Sequence, residues 1–230
     1  MDYLLKEFKN LKFYVRPGAS DEKTLKEVVE KHAYEKKSFR ISPGENWLDL
    51  GGNIGAFTVL AASRNCQVTT YEPDPQNIMM IKKNLALNNL QANIKSRAIV
   101  HNDQVSATLN LWPEGQSWRN SLIRNRRGTQ PMTVLCENFF KVAAADHCIK
   151  MDIEGSEIPI LENWPKGFKV KKLVFEYSFD VDPSVIRLRN ILDKLRPAFK
   201  TLTYSSQIDK IDSWNFFPPC TMVFCSNDSD

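Results

Sequence analysis

The chain is short of most features that would assign it to a special class. No apolar run among its 230 residues approaches the ~18 needed to cross a bilayer, so no membrane span is expected. The start, Met1-Asp2-Tyr3-Leu4-Leu5-Lys6-Glu7, carries acids and is unlike a secretory leader. Cysteine is scarce. Cys66, Cys136, Cys148, Cys220 and Cys225 show neither C-x-x-C spacing nor an even framework, which argues against zinc and for free thiols in a reducing compartment. The expected location is the cytoplasm. His32, His101 and His147 have no metal-ligand spacing. Neither sign of charge dominates: 31 Lys and Arg against 27 Asp and Glu give a formal net charge of +4, which permits anionic partners without demanding nucleic acid. Repeats and low-complexity tracts are missing too. What is left is an ordinary globular composition, with length enough for one domain. We expect a single domain over 1–230, with 1–40 as a helical and strand cap and 41–230 as the core.

Glycine is sparse, nine in all, yet three fall within Gly51-Gly52-Asn53-Ile54-Gly55. Before them stands Trp47-Leu48-Asp49-Leu50, a buried strand, and after them Ala56-Phe57-Thr58-Val59-Leu60, the first turns of a helix. A second strand, Val68-Thr69-Thr70-Tyr71, runs into Glu72-Pro73-Asp74-Pro75. Strand, glycine turn, helix and a second strand tipped with an acid make half of a nucleotide-binding α/β sheet. Glycines let the backbone turn tightly and approach a ligand, and Glu72 is placed to accept from ribose hydroxyls. A dinucleotide site would read G-x-G-x-x-G, whereas this turn is one residue tighter. Asp49, two residues before it, repels a pyrophosphate and attracts a cation. S-adenosylmethionine has no phosphate and carries a sulfonium and an ammonium, so it fits better than NAD. The bland alternative is a βαβ unit whose glycines serve only the turn.

Along the chain, residues 1–19 read as a short helix and a strand at Lys12-Phe13-Tyr14-Val15. Ser20 is an N-cap candidate for a helix through about Ala33, with Leu25, Val28 and Val29 as its apolar face. Pro75 starts a further helix that Asn88-Asn89 end, and Asn93 to Val100 is a third strand. Ser106 to Leu111 alternates like a strand; the rest of 101–131 reads as a long exposed loop holding Arg119, Arg124, Arg126 and Arg127. Those arginines are read as a solvated charged loop, with an anion site as the alternative. His147 to Asp152 is a fourth strand, Val170 to Tyr177 a fifth, and Pro183 to about Leu195 a helix. Thr201-Leu202-Thr203-Tyr204 and Thr221-Met222-Val223-Phe224 close the sheet as an antiparallel hairpin. The fold class is α/β: a seven-stranded, mostly parallel sheet with helices on both faces and a ligand at the strands' carboxyl ends.

Lys150, Asp152 and Glu154 are spaced by two, so an extended chain turns them to one face. Glu176, ending the fifth strand, faces the same crevice. These four are the candidate catalytic residues. The alternative is a Lys150–Asp152 ion pair at the sheet edge with Glu154 as a helix N-terminal acid. Methyl transfer is an in-line displacement needing alignment and the removal of one proton. Asp152 is the first choice of base, Lys150 a candidate to orient the acceptor oxygen or tune that carboxylate, and Glu154 a holder of a second hydroxyl. Asp152, Glu154 and Glu176 are hard oxygen ligands suited to a divalent ion, but three acids without a fixed geometry do not establish one, and none is called. Ala98 and Ile99 are candidates for the adenine wall or plain core, and Arg97 and His101 are cleft-side or solvated.

Arg16-Pro17-Gly18, Ser20-Asp21, Asp49 to Gly55, Glu72-Pro73-Asp74-Pro75-Gln76-Asn77 and Lys150 to Glu157 together resemble the FkbM-type methyltransferases, over about residues 14–177. The resemblance implies a class I (Rossmann-like) S-adenosylmethionine-dependent fold and O-methylation of a hydroxyl on a sugar, glycan or polyketide-like small molecule. By position it implies cofactor contacts from Asp49, Gly51, Asn53, Gly55 and Glu72, with Gly52 and Pro73 beside them, and an active site at Lys150, Asp152 and Glu154. Two departures stand out. Gly52 replaces a usual alanine, a loosening of the turn, and Cys136-Glu137 stands where Leu-Asp-Asp is usual. The competing readings are a nucleic-acid methyltransferase and a non-catalytic binding module. Base amino-methylation uses an Asn/Asp-Pro-Pro-aromatic motif after the fourth strand, where this chain has Asp152-Ile153-Glu154-Gly155, and Phe217-Pro218-Pro219 lies far downstream. Nucleic acid is therefore not the expected partner.

Overall fold

The computed structural model describes residues 3–36, 38–113, 119–125, 127–205 and 220–228. It opens with an antiparallel hairpin, β1 (Leu4–Phe8) and β2 (Leu11–Val15). The helix expected at the start is thus a strand. Lys9 and Asn10 take φ of 47° and 68°, the two left-handed residues of a tight hairpin turn, and that turn folds Leu4–Phe8 back onto β2. Next, α1 (Asp21–Leu25) continues into a π-helical turn over Lys26–Glu30. The helix stops short of Ala33 because His32 is left-handed, with φ 53°. Leu25, Val28 and Val29 are its buried face, as their spacing predicts.

The first half of the core is β3 (Asn46–Leu50), α2 (Ala56–Ser63), β4 (Gln67–Tyr71), α3 (Pro75–Leu87) and β5 (Asn93–Lys95). Asp74 caps α3 by accepting from Gln76 N at 2.8 Å, ahead of Pro75 at its first position. A small sheet follows, built from β6 (Ala98–Val100), β7 (Ser106–Leu111) and β8 (Gln130–Asn138) in the order β6-β8-β7. The predicted third strand is therefore two: Arg97 N bonds Lys95 O at 2.9 Å, and this three-residue turn sends Ala98 to a different partner. The sequence reading left β8 out; there Val134 and Cys136 are buried while Leu135 between them is exposed. The second half comprises α4 (Phe139–Val142), β9 (His147–Met151), α5 (Glu157–Glu162), β10 (Lys172–Ser178), α6 (Val185–Leu195), β11 (Thr201–Tyr204) and β12 (Cys220–Ser226).

The main sheet runs β11-β12-β10-β9-β3-β4-β5. The five strands from β10 to β5 are parallel, and β12 lies antiparallel between β10 and β11. This is the class I methyltransferase arrangement, with β3 near its centre. Both faces are covered, so successive residues of β3 enter different cores. Trp47 packs with Phe57, Ile81 and Phe13 beneath α2, α3 and the N-terminal segment. Leu48 and Leu50 pack with Ile149, Met151 and Phe175 against α4, α5 and α6. A strand buried on both sides is a continuous apolar run, which makes Asp49 the exception. No helix among the described residues is long and apolar enough to cross a membrane.

Candidate active site

The glycine turn is held by the ends of three strands. Gly51 N and Gly52 N both donate to Tyr71 O, at 2.9 and 3.2 Å. Gly51 has φ +83°, and a Cβ there would sit 2.0 Å from the backbone oxygen of Asp152; no side chain fits between the turn and the end of β9. Gly52 is equally confined, since a Cβ would meet Thr70 Cγ2 at 2.3 Å and Ile81 Cδ1 at 3.0 Å. The loosening expected at Gly52 is therefore replaced by tight packing against β4 and α3. Asn53 N donates to Glu72 Oε2 at 2.7 Å, and Asp74 N to Glu72 Oε1 at 2.9 Å. Glu72 thus ties the turn to the tip of β4, and the Asn77 side chain on α3 is a third hydrogen-bond partner of its carboxylate. Burial, reinforced by the charge of Asp74, pushes its carboxyl up to about 7.

Asp49 is fully buried behind this turn. Its Oδ2 accepts from Thr58 Oγ1 at 2.6 Å, and its Oδ1 lies 3.2 Å from Lys150 Nζ. The partnership follows from register, because Asp49 and Lys150 are paired positions on the adjacent parallel strands β3 and β9. Lys150 Nζ also donates to Gly51 O at 2.7 Å and Leu50 O at 3.3 Å. Burial disfavours its charge, yet the facing Asp49 and Asp152 carboxylates outweigh that and hold the ammonium above the usual lysine value. The ion pair considered for Lys150 thus forms with Asp49, not with Asp152, and supports the turn from beneath.

Two cavities meet over this floor. The first, an open cleft enclosing about 560 Å³, is lined by Gly51, Asn53, Glu72, Pro73, Ala98 and Ile99 among others. Six of the nine residues assigned to the cofactor therefore come together; Asp49, Gly52 and Gly55 lie behind the wall they shape. Arg97 also lines this cleft, 3.8 Å from Glu137. The second cavity, about 680 Å³ by the same measure, is walled by Thr24, Glu27, Tyr34, Glu176 and Met222. Gly51, Asn53, Asp152 and Glu154 line both. Lys150 lines neither.

Acids crowd the junction. Glu154 is left-handed at φ 55°, so the chain leaves the strand path after Asp152 and the spacing by two no longer sets its direction. Burial and the Asp152 charge push the Glu154 carboxyl well above the usual range, against the pull of Arg124. The same causes raise Glu176 to about 7. Among the described residues no group of three or more His, Cys, Asp or Glu is arranged to hold a metal ion.

Several functional positions escaped the sequence reading. Tyr34 donates from its phenol to Asp152 Oδ2 at 2.6 Å. Arg124, expected on an exposed loop, is buried, with Nη1 3.3 Å from Glu154 and Nη2 2.6 Å from Asp180. Its segment straps the cleft: Ser121 Oγ donates to Glu154 O at 2.6 Å and Asn120 Nδ2 to Asp74 Oδ2 at 2.8 Å, while Asn120 and Leu122 line the cavity. Of the other loop arginines, Arg119 lies over the Trp112 ring, Arg127 is exposed, and Arg126 falls outside the described residues, as does Phe217-Pro218-Pro219. Arg16 forks onto Asp21 at 2.7 and 2.9 Å and reaches Asn77 at 3.0 Å. The Arg16 to Asp21 motif thus clamps the hairpin onto α3, where Asn77 lines the cleft.

The first cavity fits S-adenosylmethionine. Asn53 Oδ1 and Ser156 Oγ are buried at its wall without a hydrogen-bond partner among the described residues, as a ligand rich in hydroxyl and amino donors requires, and Glu72 offers acceptors where a ribose would lie. Residues 49–200 match the family model of the methyltransferase FkbM domain. Among curated proteins none matches. Solved structures that share the fold include the following two. One is the Pyrococcus abyssi tRNA (uracil-54, C5)-methyltransferase in complex with S-adenosyl-L-homocysteine, at 12% identity and TM-score 0.51, covering 98% of this chain and 44% of that one. The other is an S-adenosylmethionine-dependent methyltransferase of Agrobacterium tumefaciens, also at 12% identity and TM-score 0.51, covering 99% of this chain and 71% of that one. The chain spans less than half of the first of these. The match over residues 49–200 takes in the glycine turn, Glu72 and the acids that follow β9, and the chain belongs to the FkbM family of S-adenosylmethionine-dependent methyltransferases.

Proposed function

We propose that the chain transfers a methyl group to a hydroxyl of a sugar, glycan or related small molecule, with Asp152 as general base. The observation that carries this reading is the position of Asp152, which lines both the cofactor cleft and the second cavity. When bound, S-adenosylmethionine supplies an electrophilic methyl group on a sulfonium. Asp49, Lys150 and Glu72 hold the turn that seats it. In the second cavity the acceptor hydroxyl would lie against Asp152, whose carboxylate would take the hydroxyl proton as the oxygen gains the methyl, the sulfur–methyl bond breaks and S-adenosylhomocysteine leaves as the thioether. Glu154 and Glu176 carry raised carboxyls and, when protonated, donate to neighbouring hydroxyls of a polyol.

Nucleic acid is the second reading, since one structure of this fold is a tRNA methyltransferase. The second cavity is lined by Glu27, Asp152, Glu154 and Glu176 and by no lysine or arginine among the described residues. That lining repels a phosphate backbone, which needs cations, and favours a neutral polyol. The five cysteines are free, which suits the cytoplasm.

The test has two steps. Calorimetry with S-adenosylhomocysteine should show saturable binding; silence at millimolar ligand removes the cofactor assignment. Labelled cofactor with a panel of glycans should then yield a base-stable methyl ether. Label appearing only in RNA would replace the acceptor class.

A further inference from the structure

We propose that Tyr34 is a positioning residue that fixes the Asp152 carboxylate with one oxygen turned to the acceptor, resting on the reading of Asp152 as the base. Tyr34 lies outside the span of the family match, in the N-terminal segment, and its phenol reaches the chain just past the carboxyl end of β9. The hydroxyl donates to Asp152 Oδ2 at 2.6 Å, the short distance of a bond to a charged acceptor. Oδ1 has no hydrogen-bond donor among the described residues. One carboxylate oxygen is thus occupied and its partner is free at the junction of the cavities.

The ring has no freedom to let go. Its edge packs on Phe57, with centroids 5.7 Å apart and planes at 89°, and Lys150 Nζ stands 5.3 Å from its centroid. The next residue is anchored as well: Glu35 takes a fork from Arg64 at 2.7 and 3.0 Å and accepts from Ile41 N at 3.2 Å. Burial, with the charges of Asp152, Glu176 and Asp49, keeps the phenol protonated far above neutral pH. Tyr34 therefore only donates. It holds its proton throughout, and the acceptor's proton goes to Oδ1.

The groups facing Asp152 are Tyr34, Lys150, Glu154, Glu157, Glu176 and Cys220, and Tyr34→Phe alters only one of them. We expect kcat to fall by about 10- to 100-fold, the range of a misaligned base, with KM for the cofactor and the affinity for S-adenosylhomocysteine unchanged. Carboxyl 13C resonances of aspartate-labelled protein, with Asp152 assigned through Asp152→Asn, report the bond without an acceptor. The Asp152 signal should move at fixed pH in Tyr34→Phe, because the hydrogen bond from the phenol to Oδ2 is lost. Replacing the six tyrosines by 3-fluorotyrosine, a stronger donor, should move it the other way and covers the case in which Tyr34→Phe does not fold. An Asp152 resonance unmoved in both, or a loss of S-adenosylhomocysteine affinity equal to the loss of kcat, overturns the proposal. A moved resonance with full turnover in Asp152→Asn keeps the positioning contact and removes Asp152 as the base.

Discussion

Lys150→Met tests the division of labour beneath the glycine turn. The pair it breaks has side-chain exposures of 5% for Lys150 and 0% for Asp49, so water cannot replace the lost partner. Removing one member of a buried pair costs about 3–5 kcal/mol, a large share of the roughly 5–15 kcal/mol that holds a domain folded. The ammonium also serves Gly51 O at 2.7 Å, and an orphaned buried carbonyl adds about 1–3 kcal/mol. Urea unfolding followed by tryptophan fluorescence measures the loss. The decisive comparison is the double variant Asp49→Asn/Lys150→Met, in which the new amide oxygen still accepts from Thr58 but no buried charge remains. The orphaned Gly51 carbonyl is common to both, so it cancels. The double variant should be more stable than Lys150→Met by about 2 kcal/mol, because the unpaired buried carboxylate that the single variant leaves behind is gone. The sign with pH is fixed too. The folded ammonium titrates above its usual value, so its contribution is full below the unfolded lysine value and is lost as pH rises through the folded one. Strict additivity of the two substitutions, or a loss below about 1 kcal/mol for Lys150→Met, would refute the pairing and return Lys150 to the list of groups acting on the acceptor.

Gly51→Ala should cost more than about 3 kcal/mol and abolish S-adenosylhomocysteine binding, because the methyl meets Asp152 O at 2.0 Å in a left-handed conformation. Gly18→Ala, also left-handed at φ +73° but with nothing within 4 Å, should cost only about 1–2 kcal/mol; equal melting shifts in the two would contradict the close approach. Burial pushes the Glu72 carboxyl up to about 7, and on the proposed assignment ribose hydroxyls donate to its charged form. Calorimetry should therefore show S-adenosylhomocysteine binding tightening by up to about tenfold per unit as pH approaches 7 from below, with the dependence absent in Glu72→Gln. On stability the sign is opposite: the folded value lies above the unfolded one, so a contribution full at acid pH is lost as pH rises through about 7. Arg124→Ala should destabilise by about 1–3 kcal/mol, discounted because Asp180 is 45% exposed, and limited proteolysis should cut within 119–125 faster than in the wild type.

The parts legible in sequence were those whose partners are close in sequence. Trp47 to Leu50, the three glycines and Phe57 to Leu60 lie on one strand, turn and helix, so hydrophobic run and glycine spacing suffice to read them. Asp74 and Pro75 announce α3 by local chemistry alone. Asp49 was legible only as an anomaly. Its sequence reading was a cation's partner, and the folded chain gives it Lys150, because sheet order, which no local pattern encodes, sets β3 beside β9. The same blindness hid Arg124, whose charge suggests solvent until Glu154 and Asp180 arrive from the turns after β9 and β10.

This contrast separates the two halves of the reaction. The first cavity draws on Gly51, Asn53, Glu72 and Pro73 past the tips of β3 and β4 and on Ala98 and Ile99 of β6, stretches that lie close together in sequence. The second cavity draws on Thr24, Glu27 and Tyr34 from the N-terminal segment, Asp152 and Glu154 past β9, Glu176 on β10 and Met222 on β12. No single window of sequence contains that set. Asn120 and Leu122 from the 101–131 loop line the first cavity, whereas Thr24, Glu27 and Tyr34 line the second. Exchanging the N-terminal wall, not the loop, is the substitution that should change which hydroxyl is methylated.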